Sequence, residues 1–309
     1  MKVVSVIVPV FNEEASLEAF FEAVRKVMDG AAEYRWQLLF INDGSGDGSQ
    51  QLIEAFARQD QRVCFVELSR NFGKENAMLC GFDYASGDCA VVIDADLQHP
   101  PHVILEMLSK WEEGYEDVYA KRRDRGRESW LRHRLSLLFY RILDHSTSFD
   151  MLRNVGDFRL LDRKCIDALR EMRETERYTK GLFSWMGFRK YELQFNQEER
   201  RYGQSHWNYM QLFALAIEGI TSFTIAPLRF ATITGTMIGI GAIFYMFYVL
   251  MKALIWGDPV AGFPTLICVI LFLGSIQLIC LGIMGEYLGR IFNESKRRPN
   301  YLVRKASAD

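Results

Sequence analysis

The chain has 309 residues, enough for one sizeable domain and a further segment. Its 37 Lys and Arg nearly balance 39 Asp and Glu, and the net charge of −2 argues against a general nucleic-acid binder. Six scattered cysteines form no Cys-x-x-Cys pair, which leaves no visible disulfide or metal framework and suits a reducing compartment.

Val3 to Phe11 is apolar but short, and Asn12-Glu13-Glu14 follows without a small-residue cleavage site. It reads as a first strand and not as a signal peptide. A helix follows, with Leu17, Phe20, Phe21 and Val24 on one stripe. Trp36 to Ile41 is a second apolar strand, closed by the turn residues Asn42 to Ser49. Leu52, Ile53 and Phe56 mark the next helix. Val63 to Leu68 is a third strand, and Asn71 to Asn76 opens a helix that ends near Gly87. Cys89 to Ile93 is a fourth strand and Asp117 to Ala120 a fifth. The alternation predicts an α/β domain with a mainly parallel sheet and helices on both faces.

Carboxylates stand at the ends of these strands: Glu13, Asp43, and the pair Asp94 and Asp96. In open α/β sheets that end is where ligands bind. Two carboxylates one residue apart repel unless a cation sits beside them. Hard oxygen ligands suit Mg²⁺ or Mn²⁺ held jointly with a phosphate. The first strand-to-helix turn carries neither Gly-x-Gly-x-x-Gly nor Gly-x-x-x-x-Gly-Lys-Ser/Thr, which excludes a dinucleotide fingerprint and a P-loop.

Lys121 to Arg134 holds seven Lys and Arg against Asp124 and Glu128. It is a solvated face or, given its place after a strand, a phosphate or membrane-surface segment. Asp157, between Gly156 and Phe158, is either a structural acid paired with Arg159 or a residue facing the substrate. Ser205 to Phe223 reads as a helix with a broad aromatic face. It suits a membrane interface or packing on the sheet.

The last third is apolar. Phe230 to Met251 and Pro259 to Gly285 each lack any charge and are long enough to cross ~30 Å of hydrocarbon as helices. Two spans joined by a hairpin at 252–262 are therefore expected. The tail carries Arg290, Lys296, Arg297, Arg298, Arg304 and Lys305 against Glu286 and Glu294. The excess of positive charge puts it in the cytoplasm, and two crossings put the N-terminal domain there too. The expected layout is a catalytic domain at 1–204, an interfacial helix at 205–229, two spans within 230–285 and a basic tail at 286–309.

Five motifs occur in order: Val8-Pro9-Val10-Phe11-Asn12-Glu13-Glu14, Asn42-Asp43-Gly44-Ser45, Arg70-Asn71-Phe72-Gly73-Lys74-Glu75, Asp94-Ala95-Asp96-Leu97-Gln98 and Gly156-Asp157-Phe158-Arg159-Leu160. With them the chain resembles the family 2 glycosyltransferases of GT-A fold. More narrowly it resembles the polyprenyl-phosphate glycosyltransferases, which include bactoprenol glucosyltransferases and dolichol-phosphate mannose synthases. The closing Gly285-Glu286-Tyr287-Leu288-Gly289-Arg290 and Arg298-Pro299 are similar to the two-span bactoprenol group. His99 is a departure, standing where such enzymes often carry Asp.

The resemblance implies an inverting transfer of a sugar from a UDP-sugar to undecaprenyl phosphate at the plasma membrane. Glucose is the default sugar of that group. Pro9, Phe11, Glu13 and Asp43 would hold the nucleoside. Asp94, Ala95 and Asp96 would sit at the ribose and diphosphate, with Asp96 nearest an Mg²⁺ or Mn²⁺ ion that Asp94 shares. Arg122 would meet phosphate, and Asp157 matches the acid proposed as catalytic. Lys121, Arg123, Lys180, Arg200 and Arg201 are candidates for the lipid phosphate. A phosphate monoester has a second pKa near ~6 and is largely ionised already. Asp157 is therefore expected to orient a sugar hydroxyl or steady positive charge at the anomeric carbon, with proton abstraction a lesser role.

Two other readings compete. A processive polysaccharide synthase would carry Gln-x-x-Arg-Trp, whereas Gln197-Glu198-Glu199-Arg200 is followed by Arg201. A non-enzymatic membrane scaffold would not need acids at successive strand ends. Self-association through the aromatic helix or the spans is left open.

Overall fold

The structure is a computed structural model, and it describes residues 1–122, 155–175, 177–195, 226–256 and 262–307. In chain order the first elements are β1 (Val3–Val10), α1 (Glu14–Gly30), β2 (Arg35–Asn42), α2 (Ser49–Gln59), β3 (Val63–Leu68) and α3 (Lys74–Tyr84). Next come β4 (Cys89–Val92), α4 (Val103–Glu112), β5 (Asp117–Arg122), β6 (Val155–Asp162), α5 (Arg163–Glu171), α6 (Thr179–Trp185) and β7 (Lys190–Phe195). Two long helices, α7 (Ala226–Trp256) and α8 (Phe263–Ser295), precede a last strand, β8 (Val303–Ala306).

The strands form one sheet in the order β7-β5-β6-β4-β1-β2-β3-β8. β1 pairs in parallel with β2 and β4, and β2 in parallel with β3. The chain thus winds outward from β1 in both directions. The crevice between β1 and β4 is the switch point where such sheets bind ligands. Successive side chains alternate between faces. Val6, Val8, Leu38, Phe40 and Val91 pack with Phe20 and Phe21 of α1 and Ile53 of α2. Ile7, Leu39, Ile41, Ala90 and Val92 pack with Met78 and Phe82 of α3 and Ile166 of α5. The stripe Leu17, Phe20, Phe21 and Val24 is wholly buried, as its spacing requires.

β6 and β8 run against their neighbours. β6 is antiparallel to both β4 and β5. Its first residues therefore lie at the edge where β4 ends, and this carries Asp157 to the switch point. β8 lies antiparallel on β3, so the chain beyond α8 returns to cover the far edge of the sheet.

α7 and α8 pack against each other. Among the described residues, Phe272–Ser295 is the stretch long and apolar enough to cross a membrane, and Leu278, Leu281 and Leu288 on it are exposed. Of the expected interfacial helix at 205–229, residues 205–225 lie outside the described residues and 226–229 belong to α7; of the expected hairpin at 252–262, residues 252–256 continue α7 and 257–261 lie outside the described residues.

Candidate active site

The turn after β1 is stitched to the turn after β2. Asn12 adopts a left-handed φ of 54°. Its Oδ1 accepts the Gly46 N–H at 2.8 Å, and its own N–H donates to Ser45 Oγ at 3.0 Å. Glu13 stands at the N-cap position of α1, and its carboxylate accepts from Ser16 Oγ at 2.9 Å. Pro9 lies in β1 opposite Ile41, and Phe11 is exposed at the crevice mouth.

Asp43 is buried, and its carboxylate accepts the N–H groups of Phe72 at 2.7 Å and Gly73 at 2.9 Å. Burial raises its pKa, and those two N–H groups oppose the rise. Whatever it does for a nucleoside, Asp43 fixes the loop that opens α3. Gly44 is needed beside it: its φ is +66°, and a Cβ there would overlap the Arg70 backbone.

The loop so held begins α3 with Lys74. Its Nζ stands 2.7 Å from Asp94 Oδ1 and 2.8 Å from Asp157 Oδ2. Three elements meet in this triad: the N-terminus of α3, the loop after β4 and the start of β6. Burial opposes the ammonium charge, but Asp94 and Asp157 outweigh it and raise the Lys74 pKa. For Asp157 burial pushes the other way, yet Lys74, then Lys180, hold its carboxyl at about 2. Asp157 Oδ1 is buried with no hydrogen-bond donor among the described residues.

Asp157 is not the partner of Arg159. The Arg159 guanidinium reaches Asp117 at 3.1 Å, both buried, and lies 3.6 Å over the Phe183 ring. Asp117 is thus the principal counter-charge of Arg159, and Asp157 adds to it only through its charge.

Asp94 is about a quarter exposed, and its Oδ2 is 4.0 Å from His99 Nδ1. The His99 ring packs against Phe158 and Phe195, with centroids 5.0 and 5.7 Å away. Ala95 is buried, which turns the two flanking acids outward together. Asp96 Oδ1 accepts the Gln98 N–H at 3.0 Å across Leu97, whose φ of 60° is left-handed. Such backbone costs about 1–2 kcal/mol for a residue with a Cβ, and here it presents Asp96. Among the described residues no cluster of three or more metal-ligating side chains occurs. A pair of carboxylates fits Mg²⁺ or Mn²⁺ nonetheless, because these ions take one or two carboxylates and complete their shell with substrate phosphate and water.

The basic candidates divide. Lys180, exposed at the start of α6, acts on Asp157 through its charge and is tied in by Glu75, whose Oε2 accepts the Thr179 N–H at 3.0 Å. Lys121 is engaged by Glu192 at 2.8 Å on β7. Arg122 ends β5 opposite Phe195. Arg123, Arg200 and Arg201 lie outside the described residues.

Lys74 is the site residue that sequence reasoning passed over, although its motif was recognised. One signal was available. A lysine in the first turn of a helix meets the positive end of the helix dipole, which disfavours it unless carboxylates lie nearby.

The chain belongs to glycosyl transferase family 2, which it matches over residues 5–170, and it is therefore a glycosyltransferase. It is 42% identical to an uncharacterized glycosyltransferase of Synechocystis over 300 residues, 97% of this chain and 94% of that one. It is 40% identical to the bactoprenol glucosyl transferase of Shigella phage SfV over 301 residues, 97% of this chain and 98% of the other. Among solved structures, mannosyl-3-phosphoglycerate synthase of Rubrobacter xylanophilus is similar with a TM-score of 0.50 and 16% identity, over 71% of each chain. That likeness speaks for the fold alone.

Proposed function

We propose that the protein transfers a hexose, glucose in the first instance, from a UDP-sugar to a membrane polyprenyl phosphate with inversion at the anomeric carbon. The observation that carries this reading is the Asp94–Lys74–Asp157 triad at the switch point of a chain 40% identical, nearly end to end, to a bactoprenol glucosyl transferase.

The first turns, with Pro9, Phe11, Glu13 and Asp43, hold the nucleoside, and Asp94, Ala95 and Asp96 face the ribose and diphosphate. Asp96 and Asp94 would hold a divalent cation, which supplies positive charge to the departing diphosphate. Arg122 adds to that charge. Lys180 faces the acceptor phosphate, together with Lys121, Arg123, Arg200 and Arg201 as further candidates. The acceptor arrives ionised and needs no strong base. A carboxyl held at about 2 is a poor match for proton abstraction near neutral pH. Asp157 instead accepts a sugar hydroxyl on Oδ1, the buried oxygen with no donor among the described residues, and steadies charge at the anomeric carbon.

We also propose that α7 and α8 both cross the plasma membrane. The pairing of β8 with β3 supports an even number of crossings, because it holds the tail on the side of the catalytic domain. The tail's positive charge supports the cytoplasm as that side. Holding the site at the headgroup plane replaces a search for the lipid by a fixed geometry.

The test is release of UDP by the purified full-length protein, with a panel of UDP-sugars, with and without polyprenyl phosphate, and with Mg²⁺ or Mn²⁺. Release that depends on polyprenyl phosphate and vanishes in Asp96→Ala supports the reading. Undiminished turnover by Asp96→Ala removes its basis.

A further inference from the structure

A cleft of about 600 Å³ opens where the end of α8 meets the catalytic domain, lined by Arg173, Thr175, Glu294, Arg297, Arg298 and Tyr301 among others. It stands apart from the triad. Asp83, at the C-terminal end of α3, takes both Arg173 Nη atoms at 2.7 Å and the Tyr301 hydroxyl at 2.5 Å. Lys74 begins the same helix and Asp83 lies nine positions further on, about 14 Å along the axis.

Positive charge is in excess there. Glu294 accepts the Thr175 N–H at 3.0 Å, and Arg173 is matched by Asp83. Arg297 and Arg298 have no ion-pair partner among the described residues. Arg297 is also held with φ at 49°, just past the end of α8. Glycine is the ordinary choice at that position, because it takes left-handed backbone without a Cβ penalty. The chain keeps a guanidinium there against the local preference of the backbone.

The surroundings indicate what the charge meets. Leu288, Ile291 and Phe292 on the last turns of α8 are 66%, 63% and 59% exposed. Apolar side chains so exposed at the end of a long apolar helix suit a bilayer. Arg297 lies five positions beyond Phe292, about 7 Å along the direction of the helix that ends at Ser295. The headgroup layer of a bilayer is about 5–8 Å deep. A cationic cleft one layer beyond the last apolar turn lies at phosphate depth.

We propose that this cleft binds the phosphate of an anionic bilayer phospholipid, with Arg297 and Arg298 as its principal partners and Arg173 as a fixed wall. The site is separate from the acceptor site and locks the catalytic domain at one height above the membrane. The assignment rests on α8 being a spanning helix.

The test uses delipidated full-length protein in neutral detergent, titrated with dihexanoyl phosphatidylglycerol, dihexanoyl phosphatidylcholine and inorganic phosphate. Phosphatidylglycerol is expected to bind most tightly, and loss of either arginine to weaken it roughly fivefold. Arg297→Gly is the discriminating variant, because glycine suits the left-handed backbone. Its Tm is expected to hold or rise while phospholipid affinity falls, and Arg298→Gln is expected to lose affinity likewise. Equal affinity for the two phospholipids, or affinity indifferent to both substitutions, overturns the proposal. Inorganic phosphate binding as tightly as phosphatidylglycerol makes this a free-anion site and overturns the lipid assignment. Alkaline carbonate extraction of membranes separates the underlying reading: a peripheral chain is stripped and a spanning one stays, whatever the cleft binds.

Discussion

At the scale of single residues, Lys74 decides how Asp157 behaves. Burial alone would raise the Asp157 carboxyl, and Lys74 with Lys180 reverses that to about 2. Asp157→Asn keeps the shape of the side chain and removes its charge. We expect kcat to fall about 100-fold or more, as when a preorganised electrostatic partner is lost. The pH–rate profile between pH 5 and 9 should keep its form. Loss of an acidic limb in that variant would restore Asp157 as a base. Lys74→Met is the complementary experiment. With the ammonium gone, burial dominates, the Asp157 pKa rises, and an acidic limb should move toward neutral pH, with Lys74→Arg restoring it in part. The same logic governs stability. A carboxyl lowered from 3.8 lends stability above that value and loses it as pH falls through about 2. A lysine raised above 10.5 lends stability below that value and loses it only as pH rises through the raised one. With the Asp157 pKa raised, Lys74→Met already lacks at neutral pH the stability that the wild type loses on acidification, so its stability is expected to shift less than that of the wild type as pH falls through about 2. Lys74 is 42% exposed, so solvent screening keeps that difference small.

At the scale of elements, β6 is where the sequence and the structure part. Alternating apolar residues declare a strand and its faces, not the direction in which it runs. The alternation from β1 to β5 was legible because each strand is followed by a helix or an acidic turn. The antiparallel course of β6 was not, and with it the meeting of Asp157 and Asp94. Asp43 was read for its place at a strand end, and only the folded loop shows it holding the N–H groups of Phe72 and Gly73. Asp157 was left between Arg159 and the substrate because sequence adjacency cannot reveal Asp117 across the sheet. That cross-strand pair gives a sharp expectation. Asp117→Ala leaves the buried Arg159 charge without its direct partner, with Asp157 as a more distant counter-charge, which costs about 3–5 kcal/mol. The double variant Asp117→Leu with Arg159→Met removes both charges and should be clearly milder. Denaturant unfolding of the two measures the difference, and equal losses would mean that packing, not charge, holds the pair.

For the whole molecule, the tail joins the sheet to the long helices. Between Ser295, the last residue of α8, and Val303, the first of β8, only a short connection remains. Val303-Arg304-Lys305-Ala306 is short and has no buried residue, so no apolar pattern announced it as a strand. Without it β3 would be an edge, with its ladder groups open to pairing with other chains. The tail adds the Ser69 N–H to Leu302 carbonyl bond at 2.8 Å and the Ser307 N–H to Phe65 carbonyl bond at 2.9 Å. Arg304 meets Glu67 at 3.0 Å and Lys305 meets Glu54 at 2.7 Å, but these pairs are exposed. Exposed pairs contribute about 0–1 kcal/mol each, so the ladder and the covered edge carry the effect. Arg304→Ala with Lys305→Ala should therefore change Tm by little. Truncation after Pro299 removes β8 and the hydroxyl of Tyr301 from Asp83. With about 1 kcal/mol for each lost hydrogen bond, Tm should fall by several degrees. Light scattering of the truncated protein should also rise with concentration as bare β3 edges meet. A truncated chain with unchanged Tm and no such scattering would show that β8 rests on the sheet without sealing it, and that the tail has no mechanical hold keeping both ends of the molecule on one side of the membrane.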